Sequence, residues 1–211
     1  FWLDNRLPGD KTEFSSTLPV ASIYAGLTFD RVVGTSGKWT QTIEPRALYV
    51  HVPYEDQTGY PVFDTITPTF NLVQLFRKYR YLGADRIADA DQLSFGVTTR
   101  LIDQNTGQER LTGTLGQTRY LGDQRVLLPN QDPGTQTGSD YIAELSINLN
   151  PSWRFGVDYQ WDSESHKTVR SETRLQYRPH TDRLLGIAHR YQDGLLEQGD
   201  LSVVWPIGET S

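Results

Sequence analysis

The sequence predicts an all-β chain: an antiparallel transmembrane β-barrel, present in part, as about nine strands of a larger barrel. Three observations predict it. Apolar and polar residues alternate with period two in nine separate segments, as in strands with one apolar and one polar face. The connections between those segments alternate strictly between short and long, as in barrels with tight turns at one rim and longer loops at the other. The strand count is odd, whereas single-chain bacterial barrels have even numbers, so the stretch is not expected to close on itself. Residues 1–211 are read as part of one such domain.

With 36% hydrophobic residues and a mean hydropathy of −0.53, the chain looks too polar for a membrane. That objection applies to helical spans, which need about 20 consecutive apolar residues. No such run occurs. A barrel strand needs only every second residue to be apolar, because its other face meets a polar lumen.

The segments follow in chain order. Ala21, Ile23, Ala25, Leu27 and Phe29 alternate with Ser22, Tyr24, Gly26, Thr28 and Asp30. Trp39, Ile43, Pro45, Ala47 and Tyr49 alternate with Thr42, Glu44, Arg46 and Leu48. Leu93, Phe95, Val97 and Leu101 oppose Gln92, Ser94, Gly96, Thr98 and Arg100. Leu111 and Leu115 oppose Arg110, Thr112 and Thr114. Tyr141, Ala143, Leu145, Ile147 and Leu149 oppose Glu144, Ser146 and Asn148. In the clearest case, Trp153, Phe155, Val157, Tyr159 and Trp161 face away from Arg154, Gly156, Asp158, Gln160 and Asp162. Aromatics at both ends of that apolar face match a lipid-facing strand whose ends sit in the two interfacial girdles. Val169, Leu175 and Tyr177 then oppose Arg170, Glu172, Arg174, Gln176 and Arg178. Leu185, Ile187 and Tyr191 oppose Gly186, Ala188 and Arg190, and Leu201, Val203 and Trp205 oppose Asp200, Ser202 and Val204.

The connections near 34–38, 103–109, 150–152 and 179–182 are short, and those at 54–86, 122–138, 163–167 and 192–198 are longer. The long ones are expected outside the cell. The strand starting at Trp39 and that starting at Trp153 then run outward, and the one starting at Gln92 runs inward. The loop 54–86 exceeds what a hairpin needs, and loops of that length fold inward or bind something.

Composition narrows the function. Cysteine is absent, so no disulfide or thiolate metal site can form within the stretch. The chain starts at Phe1 with no charged-then-apolar leader, which for an exported protein predicts a fragment or a processed chain. A net charge of −6 gives no reason to expect nucleic acid. Of the 20 basic residues only 4 are Lys; Arg, with its bidentate guanidinium, suits a crowded polar interior. A soluble all-β domain would put Lys and Glu on a watered face, whereas here the polar faces carry Arg, Gly, Ser, Thr and Gln.

Candidate chemical motifs are weak. Residues 103–109 echo the start of a calcium loop but lack its later carboxylate, and a hairpin turn is expected. Asp85, Asp89 and Asp91 could hold a divalent cation; a solvated or Arg-paired face, with Arg80 and Arg86 adjacent in sequence, is the favoured reading. His51, His166, His180 and His189 have no metal-ligand spacing, and no nucleophile elbow occurs, so neither a metal nor a cofactor site nor a catalytic residue is expected. Arg46, Arg100, Arg110, Arg154, Arg170, Arg174, Arg178 and Arg190 point to the lumen. They can attract anionic substrates, or pair with Glu44, Glu144, Asp158 and Glu172 and stiffen the wall.

Specific strings then resemble a known family. Residues 41–49, reading QTIEPRALY, followed by Val52-Pro53-Tyr54, resemble a segment of the lipopolysaccharide-assembly family LptD, also called organic solvent tolerance protein. Further strings agree in order and spacing: Phe63-Asp64-Thr65, Leu75-Phe76-Arg77, Gly83-Ala84-Asp85-Arg86-Ile87, Thr98-Thr99-Arg100, Gly116-Gln117 and Trp205-Pro206-Ile207. The resemblance runs from about Pro19 to Ile207, over the middle and later part of the family's barrel.

The resemblance implies a wide barrel of the Gram-negative outer membrane that, with a lipoprotein plug, LptE, inserts lipopolysaccharide into the outer leaflet. It also implies a periplasmic jellyroll that receives lipopolysaccharide from the bridge protein LptA, with cysteines joining jellyroll to barrel. Those parts and the seam between first and last strands are expected to lie outside this stretch. By resemblance, the 54–86 loop should cap the barrel and touch the plug. Phe63, Asp64, Phe70, Phe76, Arg77, Asp85 and Arg86 are its candidate partner-binding residues. Glu44, Arg46, Arg100, Arg154, Asp158, Arg170, Glu172 and Arg174 are the candidate lumenal ones. The expected function is non-catalytic assembly or translocation of lipopolysaccharide, among membrane lipids. The rivals are a porin-like diffusion channel, an outer-membrane lipid-modifying enzyme and a soluble β-domain.

Overall fold

The alternation in the sequence resolves into one antiparallel sheet. The computed structural model describes residues 17–34, 37–68, 71–129, 131 and 137–206. The strands are β1 (Ala21–Gly26), β2 (Phe29–Val33), β3 (Trp39–Val52), β4 (Ala90–Asp103) and β5 (Glu109–Tyr120). They continue with β6 (Tyr141–Asn150), β7 (Trp153–Asp162), β8 (Lys167–His180), β9 (Arg183–Gln192) and β10 (Leu196–Val204). Each pairs with its neighbour in sequence, except that β1 and β2 both pair with β3. The sheet is open, with β1 and β2 at one edge and β10 at the other.

Ten strands therefore occupy nine positions, because the first predicted strand is split. Gly26 faces Arg46 and Phe29 faces Ile43, so the register carries through the gap unchanged. Opposite the gap lies Pro45. The Leu27 N–H donates to the Pro45 carbonyl at 3.1 Å, but proline has no N–H to return. One of the two bonds of that pair is missing, and the ladder breaks there.

Away from register shifts near the strand ends, every pairing sets odd against odd and even against even positions. Directly opposed residues share a face, so one parity faces each side of the whole sheet. The odd face is predominantly apolar and bare: Ile23, Leu27, Phe95, Val97, Leu115, Ile187, Leu201 and Val203 are all exposed, while polar pairs such as Gln41–Thr99 and His189–Glu197 lie toward the strand ends. In water such a face would be a large unpartnered patch; in hydrocarbon it is what a barrel wall needs. Trp153 stacks with Tyr177 at 4.5 Å near one rim, and Tyr141 lies 5.9 Å from Trp161 near the other. These cross-strand pairs sit where girdles are expected. Among the described residues no helix is long and apolar enough to cross a membrane.

The even face departs from expectation at one place. Leu48, read from sequence as part of a polar face, is buried with Val50 and Val52, and Val20, Phe76, Ile87 and Ala90 pack against them. The reason is the β3–β4 connection, residues 53–89, which folds back over the even face of the sheet. That face is polar only where the connection does not cover it.

The predicted turn at 103–109 forms, held by the Gly107 N–H on the Asp103 carbonyl at 2.8 Å with Gly107 at φ +67°. The tight turns at 151–152 and 181–182 also form.

Candidate functional site

The even face divides into a covered half over β3–β6 and a bare half over β7–β10. In the covered half, Arg46, Gly96 and Gly116 are successive cross-strand partners. Two adjacent glycines in central strands leave a trough in the sheet surface. Into it drops the short helix α1 (Leu72–Leu75), whose Asn71 side chain caps it by accepting the Gln74 N–H at 3.0 Å.

Leu75 is 1% exposed. A Cβ on Gly116 would stand 2.3 Å from Leu75 Cδ2 and 3.0 Å from the Phe95 carbonyl oxygen; one on Gly96 would meet the Phe76 ring at 3.1 Å. Leu75 and Phe76 are thus seated on bare backbone. Arg46 closes the seat from the side, its guanidinium 5.0 Å from the Phe76 ring centre and its Nη2 donating to Thr98 Oγ1 at 2.9 Å. Below this, Thr98 and Thr114 share a hydrogen bond at 3.0 Å, as do Ser94 and Thr118 at 2.7 Å.

The rest of the 53–89 connection is tied by charged side chains acting on backbone. Asp85 is buried and accepts from the N–H groups of Phe63 at 2.7 Å and Asp64 at 2.6 Å. The Asp64 N–H is the largest influence holding the Asp85 carboxyl below the ordinary carboxylate range, against the opposing effect of burial. Gly83, at φ +105°, makes the approach possible, since a Cβ there would lie 2.7 Å from the Asp64 carbonyl oxygen. The Arg86 guanidinium donates to the carbonyls of Leu127 at 2.6 Å, Tyr60 at 3.0 Å and Gln57 at 3.3 Å. Arg80 donates to Gln124 and to the Val126 carbonyl, which also accepts from the Tyr81 hydroxyl at 3.0 Å. Asp89 accepts from the N–H groups of Arg125 and Val126. The connections 53–89 and 121–140 are therefore laced into one cover.

Asp85 and Asp89 are buried rather than solvated, and among the described residues the arginine nearest Asp89 is Arg125, at 3.9 Å, not Arg80 or Arg86. The three carboxylates point to different partners, Asp91 taking the Tyr49 hydroxyl at 3.0 Å. Backbone amides win because the folded-in loop has buried N–H groups that need acceptors.

In the bare half, side chains alone fill the even face. Arg174 bridges Asp158 at 2.9 Å and Glu172 at 3.0 Å; Arg190 continues from Glu172 at 3.5 Å to Asp200 at 3.2 Å. This ladder crosses β7, β8, β9 and β10. Gly156 lets Arg174 lie flat, because a Cβ there would be 2.8 Å from its Nε. Gly186 and Ala188 keep the neighbouring surface low, and with Arg154, Gln176 and Ser202 they line an open cleft of about 650 Å³.

The remaining predicted residues fall as follows. Glu44 and Arg100 form a close ion pair, and Arg100 also reaches Glu109 at 3.1 Å. Arg154 and Arg170 line clefts on the even face and form no ion pair among the described residues. Phe76 is seated on the glycines, whereas Phe63 is 65% exposed and Asp64 and Arg77 are exposed. Phe70 lies outside the described residues. The loop candidates thus divide into internal ties (Phe76, Asp85, Arg86) and outward surface (Phe63, Asp64, Arg77). Sequence reading missed Gly96 and Gly116 as a seat; the available signal was glycine interrupting the interior of two strands.

The family model described as LPS transport system D matches residues 2–211. The chain is 39% identical over 192 residues to the LPS-assembly protein LptD of Thiobacillus denitrificans, covering 90% of this chain and 26% of that protein. It is 39% identical to the LPS-assembly protein LptD of Xanthomonas campestris pv. campestris, covering 97% and 27%. It is 36% identical to that of Hahella chejuensis, covering 100% and 27%. The chain spans about a quarter of the length of these relatives.

Proposed function

Because this chain belongs to the LptD family, whose model it matches over residues 2–211, we propose that it forms a wall section of the barrel that assembles lipopolysaccharide into the outer leaflet. The family is one of outer-membrane transport and assembly proteins, not of enzymes, and the bare apolar odd face is the lipid-contacting surface of the open sheet. In this reading the connection 53–89 lies at the cell-surface rim and folds into the lumen. A lipoprotein plug, LptE, meets its outward residues Phe63 and Asp64. A periplasmic bridge protein, LptA, delivers lipopolysaccharide through parts of the full-length protein beyond this stretch.

One observation carries the proposal: the even face is half covered by a tied-down connection and half left as an open charged wall. A sealed structural barrel has no need of an open cleft of about 650 Å³ beside an Arg–carboxylate ladder. A pore that passes a large amphiphile with a phosphorylated head group needs low, wet wall on one side. Arginine supplies donors that phosphate and sugar hydroxyls can use without deprotonation.

The test is photo-crosslinking in the full-length protein in cells, from Arg154 or Arg174 in the bare half and from Phe63 in the connection. Lipopolysaccharide is expected at the first two positions and a lipoprotein at the third. Capture of neither would sink the assembly reading, and plug-independent conductance by the purified barrel would favour a diffusion channel.

A further inference from the structure

A second cleft, of about 590 Å³, opens within the 53–89 connection, away from the charged wall of β7–β10. Its lining includes Arg77, Lys78, Tyr79, Tyr81, Arg86 and Ala88. That volume falls in the range of small-molecule sites, and its charge is unusual for a chain of net charge −6. The carboxylates nearby are already engaged. Asp85 is turned to the amides of residues 63–64, Asp89 to those of residues 125–126, and Asp64 accepts the Ala84 N–H at 3.2 Å. Arg86 bonds to carbonyls, which hold its geometry without neutralising its charge. The Arg77 guanidinium and the Lys78 ammonium make no ion pair among the described residues. Three cations, Arg77, Lys78 and Arg86, thus line one cleft together with Tyr79, which is 52% exposed.

We propose that this cleft binds the phosphorylated saccharide part of lipopolysaccharide, with Arg77 and Lys78 on the phosphate and Tyr79 against the sugar. The proposal rests on the lipopolysaccharide-assembly reading and adds a second contact point to it. Exposed cations backed by a fixed cation favour a dianion. An exposed aromatic ring in the same lining favours a sugar over bare inorganic phosphate. Arg86 is an anchored part of the wall, so the movable contacts are Arg77 and Lys78.

The experiment places a photoreactive benzophenone amino acid at Tyr79 of the full-length protein with its plug. The probe is purified lipopolysaccharide with a phosphorylated core, or the same material after removal of its phosphates. A second protein carries Arg77→Gln and Lys78→Gln beside the photoreactive residue, and a third carries the photoreactive residue at Arg154 alone. The expected result is capture at Tyr79 that falls about tenfold with dephosphorylated probe or in the double variant, the loss of one charge-assisted contact. The Arg77→Gln/Lys78→Gln pair placed beside a photoreactive Arg154 position should leave capture there unchanged. Capture at Tyr79 indifferent to phosphate and to both substitutions overturns the proposal, as does capture of an acidic protein segment instead. Capture at Arg154 with none at Tyr79 overturns it while leaving the assembly reading intact. Capture at neither position overturns both.

Discussion

The two halves of the even face solve the same problem in opposite ways. Over β3–β6 the polar side of the strands is sealed by a connection that brings its own hydrophobic residues, and the sheet answers with glycines and with Leu48, Val50 and Val52. Over β7–β10 the described residues leave the sheet open, and charged side chains pair along it from Asp158 to Asp200. The covered half takes its order from packing, where one methyl group out of place is felt. The bare half is ordered by ion pairs in contact with water, each of which contributes little. The first behaves as a rigid frame and the second as an adaptable wall.

That contrast can be broken most forcefully at Gly116. Gly116→Leu should drive α1 from its seat, at a cost of about 3–5 kcal/mol for the lost burial of Leu75 and Phe76. Protease cleavage within 53–89 of the full-length protein should then appear. Gly186→Leu in the bare half, where the nearest atom to a new Cβ is Ser202 Cβ at 3.6 Å, should stay within about 0.5 kcal/mol. Equal sensitivity of the two glycines would erase the distinction. Leu75→Ala should cost about 2–3 kcal/mol, read as a lower urea midpoint in detergent with the ladder half unaffected.

A titration sharpens the comparison. The Asp85 carboxyl is held below its ordinary value, so its ties to residues 63–64 are intact above the unfolded carboxylate pKa, about 3.9. They are lost as pH falls through the lower folded value. The protection of the Phe63 and Asp64 amides against hydrogen exchange, taken relative to the intrinsic rate at each pH, should therefore fall in acid, and Asp85→Asn should lower it at neutral pH and flatten the profile. The smallest effect belongs to the ladder. Arg174→Gln or Arg190→Gln should cost less than about 1 kcal/mol, and a larger loss would mean the bare wall is a frame after all.

Alternation made the strands and their faces readable, because a period of two survives any register that pairs odd with odd. The aromatic rims were readable from Trp153 and Trp161 for the same reason. The strand split at Leu27 was not, since it depends on which residue Pro45 meets across the ladder. The fate of the 54–86 loop was legible only as excess length. Its seat is made of Gly96 and Gly116, residues that leave no trace in hydrophobic periodicity. The Asp85 and Asp89 partners escaped because they are backbone amides, which every sequence contains. The arginine ladder was half legible: its members were named, but Glu144, expected to pair with them, lies against the Leu72 backbone instead.

The single missing bond at Pro45 has a mechanical meaning. A sheet this wide must curve to become a wall, and curvature collects where the backbone resists it least. Between β1 and β2 the chain keeps its register but gives up one of two struts, beside the small residues Ala25 and Ala47. That line is a crease. The first edge of the section can fold relative to β4 without any strand slipping, whereas the β7–β9 pairs, whose register shifts lie only near the strand ends, must bend as a continuous plate.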